Sequence, residues 1–164
     1  MPTGRELHLT KQVGEYLVAA ELCRRGMIAA TFTGNVPDYD IIASDKEGKV
    51  RHVQVKAIRS VGWQMDIGRF MDITQHGKVQ ILGDSLPAPV PGLVFVFVRL
   101  VDTGQDRFYV VAWEGLRDLL VTRYRDHMKK LKGIRPKNPE SRHTAFNEKL
   151  LEPYRDNWKL LVEG

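Results

Sequence analysis

Apolar residues recur at helical spacing near the start of the chain and at strand spacing after it, so the pattern is that of a mixed α/β protein. Thr10 is a candidate N-cap, Lys11 to Arg25 runs without proline, and Gly26 is a suitable C′ residue, which predicts a first helix over 11–25. At about 100° per residue, Val13, Tyr16, Leu17, Ala19, Ala20, Leu22 and Cys23 form a wide apolar arc, expected to be buried. Lys11, Gly14, Glu21 and Arg25 fall on the other side, and Glu15 projects at the arc's margin.

Met27 to Thr33 then reads as a short strand. Tyr39 to Ser44, the turn Asp45-Lys46-Glu47-Gly48 and Lys49 to Ile58 predict a β-hairpin. Leu93 to Leu100 is an unbroken apolar run, as expected of a strand buried on both faces, and Arg107 to Trp113 follows after a turn. A second long helix is predicted over about 114–131, and a last helical piece over 146–161. Trp113, Trp158, Tyr124 and Tyr154 stand at helical spacing with leucines, which assigns them to the core rather than to base stacking. Between Ser60 and Gly92, glycines and prolines interrupt every regular period, and one short helix near Arg69 to Thr74 is all that the pattern predicts.

The hairpin turns this pattern into chemistry. With the loop centred near Glu47, antiparallel pairing sets Asp40 opposite Gln54 and Asp38 opposite Lys56. Side-chain alternation then places Asp40, Gln54 and Lys56 on one face, with Ile41, Ala43, Val53, Val55 and Ala57 on the other. A carboxylate, an amide and an ammonium converging on an otherwise apolar hairpin are costly unless each is satisfied. Two arrangements satisfy them: an ion pair of Lys56 with Asp40 or Asp38, or a hard-cation site in which Asp40 and the Gln54 carbonyl oxygen are ligands beside Lys56.

The order of helical Glu15, Gly34-Asn35-Val36-Pro37-Asp38-Tyr39-Asp40-Ile41-Ile42 and Val53-Gln54-Val55-Lys56 resembles the PD-(D/E)xK superfamily of restriction endonuclease-like folds, in a QxK form. The resemblance covers roughly the first 60 residues. It implies a three-layer α/β (α+β) core with a mixed central sheet flanked by helices, forming one domain over 1–164, with 1–112 as core and 113–164 as a helical extension packed on it. It also implies Mg²⁺ or Mn²⁺ held by Asp40, Gln54 and Glu15, Lys56 as the water-activating cation, and an endonuclease that hydrolyses phosphodiesters, with DNA as the expected substrate. Asp40 is preferred to Asp38 as the ligand because in the resembling families the ligand runs directly into the apolar strand, here Ile41-Ile42. The sequence departs from the superfamily pattern twice. Gln54 replaces the second acid with a neutral oxygen donor, as in some active homing endonucleases of introns, and the helix that usually follows the xK strand is not written in 60–92.

Composition and charge add a partner. The chain has 164 residues, 43% of them hydrophobic, enough for a core of its own. Its net charge is +5 and its pI about 9.4. Between Arg123 and Lys149, nine basic side chains stand against three acidic ones, a net +6, while everything else sums to −1. Lys129, Lys130, Lys132, Arg135, Lys137 and Arg142 are therefore candidate phosphate contacts, the alternative being a solvated surface. The single cysteine, Cys23, excludes a disulfide framework and a cysteine-based zinc site within the chain. Five scattered histidines argue against a histidine metal site, and His52 is expected to be exposed. No P-loop, GxGxxG, GxSxG or HExxH motif occurs. No apolar leader and no membrane-length apolar run is present, so a cytoplasmic, unprocessed protein is expected. A nuclease cutting both strands would act as a homodimer, although no interface is written in the chain. The competing function is a catalytically inactive nucleic-acid-binding module of the same fold.

Overall fold

In the computed structural model, which describes residues 1–163, the chain divides into two compact units. The first is built from residues 1–63, 89–113 and 147–164, and the second from 64–88 and 114–146.

The first unit holds a long helix, α1 (Gly4–Arg24), and a five-stranded sheet of β1 (Ile28–Thr31), β2 (Ile41–Ser44), β3 (Val50–Ile58), β7 (Val94–Arg99) and β8 (Arg107–Ala112), in the order β1-β2-β3-β7-β8. All neighbours are antiparallel except β3 and β7, so the sheet is mixed. Ile41 faces Val53 across the hairpin, which is the expected register.

One sheet face presents Val53, Val55, Val94, Val96 and Val98 to Val18 and Leu22 of α1 in an aliphatic core. The other carries aromatics: Phe95 stacks on Phe97 at 5.6 Å, and Trp63 meets Phe97 at 5.4 Å and Tyr109 at 6.1 Å, edge on. Near the C-terminus, α3 (Glu148–Leu151) and α4 (Lys159–Val162) are single turns in place of the helix expected over 146–161. Pro153 in a 3-10 turn and Asp156, at φ 49°, interrupt the helical path between them.

The first helix corrects the sequence reading at both its start and its phase. It begins seven residues early, where Thr3 and Glu6 form a reciprocal capping box, and Thr10 is a buried residue inside it. Its buried line is Thr10, Gly14, Val18 and Leu22, whereas Val13 and Tyr16, expected inside, are 37% and 56% exposed. The reason is steric. A Cβ built at Gly14 would lie 2.3 Å from the Ala57 Cβ, so only glycine lets the helix approach β3 this closely.

The second unit contains β4 (Trp63–Asp66, its first residue in the first unit), a 3-10 turn at Ile67–Arg69, the hairpin of β5 (Met71–His76) and β6 (Val79–Ser85), most of α2 (Trp113–Lys130) and β9 (His143–Phe146). The short helix expected near Arg69 to Thr74 is thus a strand. Gly77, at φ 57°, supplies the tight turn, and a register shift between Met71 and Ile73 obscures the two-residue alternation in the sequence. Helix α2 buries Leu116, Leu120, Val121, Tyr124 and Met128 along one face. The Tyr124 hydroxyl donates to Gln80 Oε1 at 2.6 Å, and Gln80 Nε2 donates to the Pro139 and Ser141 carbonyls at 2.7 and 3.0 Å. These bonds satisfy a buried amide and fix the loop after α2.

Candidate active site

The site begins where β2 ends. Beyond the Ile41–Val53 pair the ladder breaks, and the backbone N–H of Val55 donates to Asp40 Oδ2 at 2.8 Å. A strand N–H points along the sheet, so this bond holds the carboxylate in the plane of the sheet, in the gap left by the ending strand. Asp38, the rival, lies outside the ladder. Its φ of 71° and the Tyr39 N–H to Pro37 carbonyl bond of 3.0 Å make it the centre of a γ-turn, where strand alternation does not apply.

Glu15 is carried to Asp40 by α1. Its side chain is 14% exposed and that of Asp40 12%, and one ammonium, Lys11 Nζ, stands 3.6 Å from an oxygen of each. Burial and the Asp40 charge push the Glu15 carboxyl above its ordinary range, against the opposing pull of Lys11 and His8. Two carboxylates of low solvent exposure thus converge on one ammonium.

Gln54 and Lys56 project from β3 away from the aliphatic core, since Val53 and Val55 between them enter it. Their parallel neighbours are Phe95 and Phe97. Gln54 is buried and Lys56 half-buried, and Trp63 Nε1 donates to the Lys56 carbonyl at 2.8 Å, fixing the strand at this point. Glu15 and Asp40 are therefore drawn together through Lys11, and Gln54 and Lys56 share a strand face beside the Asp40 anchor. Lys11 is the residue the sequence reading missed. Its i,i+4 spacing from Glu15 was the available signal.

The overall arrangement has a counterpart among solved structures. The fold resembles that of a bacterial homing endonuclease. The two superpose with a TM-score of 0.53 over 95% of this chain and 93% of the other, at 13% sequence identity. That likeness concerns the fold alone, a mixed central sheet with helices, as expected from the sequence. No family model and no curated protein matches the chain.

The six basic candidates divide into two kinds. Lys129, Lys130, Lys132 and Lys137 are exposed. Arg135 instead donates to the Ser141 and His143 carbonyls at 3.0 and 2.7 Å, and Arg142 reaches the Ile73 carbonyl at 3.4 Å, so both tie backbone within the second unit. His52, expected to be exposed, is half-buried with its ring 4.7 Å from that of Tyr39. Among the described residues, no helix is long and apolar enough to cross a membrane.

Proposed function

We propose that this chain is a divalent-metal-dependent endonuclease of the PD-(D/E)xK superfamily, in its QxK form, hydrolysing phosphodiester bonds in DNA. The observation that carries the reading is the approach of the Glu15 and Asp40 carboxylates to one cation position, beside the strand that bears Gln54 and Lys56. The donor set suits Mg²⁺ or Mn²⁺. Two hard carboxylates converge on one cation position, and no third acid, histidine or cysteine joins them among the described residues, which leaves the Gln54 amide oxygen and water to complete the shell. When bound, the metal supplies a Lewis acid for the phosphoryl oxygens and lowers the pKa of a coordinated water.

The chain's own residues do the rest. Asp40, pinned by the Val55 N–H, fixes where the cation sits, and Glu15 shares it from the helix. Lys56 holds the attacking water and offsets the negative charge that develops on the phosphate. Lys129, Lys130, Lys132 and Lys137 supply charge for the DNA backbone, each neutralised phosphate releasing counterions.

The test is nicking of supercoiled plasmid by the purified protein with Mg²⁺ or Mn²⁺ against an EDTA control, for wild type and Lys56→Ala. Metal-dependent nicking lost in the variant is expected. If no DNA or RNA substrate is cut under any metal condition, the reading fails.

One observation favours the alternative of a catalytically inactive nucleic-acid-binding module: Lys11 occupies, as an ammonium, a position a metal could take between the carboxylates. Such a module would bind DNA with a steep salt dependence yet gain no Mg²⁺ stabilisation that depends on Asp40. Cleavage of both strands by a single site per chain calls for a homodimer, which sedimentation on DNA would reveal.

A further inference from the structure

We infer that Lys11 is the resident counter-ion of the Glu15–Asp40 pair and sets the concentration at which a divalent cation takes its place. The inference rests on the metal-binding half of the proposed function and is independent of phosphodiester hydrolysis.

Three features carry it. The ammonium stands at the same distance, 3.6 Å, from Glu15 Oε1 and Asp40 Oδ1, so it serves both acids rather than closing one ordinary helical ion pair. The two acids are nearly enclosed, whereas the Lys11 side chain is 52% exposed. Its four-carbon stem can therefore swing into solvent without disturbing packing, which neither carboxylate can do. Asp40 is also fixed by the Val55 N–H independently of Lys11, so the carboxylate stays in position when the ammonium leaves.

Geometry makes the two cations exclusive. A divalent cation drawn to the same two carboxylate oxygens would stand within a few ångströms of the ammonium, as like charges. Metal uptake therefore displaces the ammonium, and the affinity measured in solution is the intrinsic affinity reduced by the strength of the Lys11 contacts. Lys11 is a positioning residue: without metal it keeps two mutually repelling acids on one point, and its release accompanies metal entry.

The experiment is calorimetric titration of Mn²⁺ into metal-free full-length protein, for wild type, Lys11→Gln and Lys11→Arg, each with and without Asp40→Asn. Lys11→Gln is expected to bind Mn²⁺ about tenfold more tightly, Lys11→Arg to stay within about twofold of wild type, and Asp40→Asn to abolish binding in every background. In EDTA, where no metal compensates, Lys11→Gln is expected to melt about 2 °C lower than wild type. Asp40-dependent binding of equal strength in wild type and Lys11→Gln would overturn the inference while leaving the metal site standing. So would equal tightening in Lys11→Arg. Absence of Asp40-dependent binding in both wild type and Lys11→Gln would overturn the metal site as well.

Discussion

Two clusters of charge in the first unit make opposite use of the same groups. Where β7 ends and β8 begins, one carboxylate, Glu148, accepts from Arg107 Nη2 at 3.0 Å and from the Tyr109 hydroxyl at 2.7 Å, with Arg99 Nε 3.9 Å away. Burial and this carboxylate push the Tyr109 hydroxyl far above its ordinary range, so it remains a donor. At the α1 end two carboxylates share one ammonium at longer range, and the Glu15 carboxyl is pushed up rather than down. The first cluster gives its one carboxylate two hydrogen bonds and behaves as a clamp that ties the segment after β9 to the sheet, while Arg99 Nε, Arg99 Nη1 and Arg107 Nε stay without a hydrogen bond. The second is held at longer range by a half-exposed lysine, and under the proposed function it is where a cation would enter.

Substitutions should separate the two. Asp40→Asn keeps the shape of the acid and removes its charge, so metal-dependent nicking should fall on the order of a hundredfold to a thousandfold while the melting temperature in EDTA hardly moves. A nicking assay beside a melting curve reads both, and a large loss of stability would mean that Asp40 belongs to a clamp after all. Glu148→Gln should do the reverse. It leaves two guanidinium groups without their carboxylate and costs about 2 kcal/mol in chemical denaturation, with the metal affinity of the folded protein unchanged.

The smallest effect is the most discriminating. Because the folded state raises the Glu15 carboxyl above its ordinary value, the folded protein holds that proton more tightly than the unfolded chain does. Stability contributed at acid pH is therefore lost as pH rises through the window between the ordinary and the raised value, and it stays lost above it. Glu15→Gln should be slightly more stable than wild type in EDTA at neutral pH and equal to it at low pH, and should lose the stabilisation that Mn²⁺ confers. A variant less stable than wild type at neutral pH would show that Glu15 sits in a satisfied ion pair.

Much of this geometry was legible in the chain. The Asp45 to Gly48 turn set the register that brings Ile41 opposite Val53, and the run from Leu93 to Leu100 announced a strand covered on both faces. What was not legible has physical causes. Helix α1 carries apolar residues on two sides, and it docks through the less hydrophobic one because Gly14 packs by closeness rather than by area. Periodicity counts area, so it chose the side of Val13 and Tyr16 and sent Lys11 to solvent. The segment between β3 and β7 was opaque for a different reason. Parallel strands require a long crossover, usually helical, and here the crossover is built from β4 and a bulged hairpin whose alternation is too short to read.

The contact at Gly14 carries one more consequence, for anyone who would alter this protein. Position 14 lies inside the contact between helix and sheet and bears no charge, yet it sets their spacing next to Glu15. A methyl group there must push α1 outward and carry Glu15 with it, so Gly14→Ala should weaken Mn²⁺ binding as well as packing. Under the proposed function, metal affinity would thus be adjusted from the interior, by a volume change of a single carbon, at a position that a search confined to polar residues would never visit.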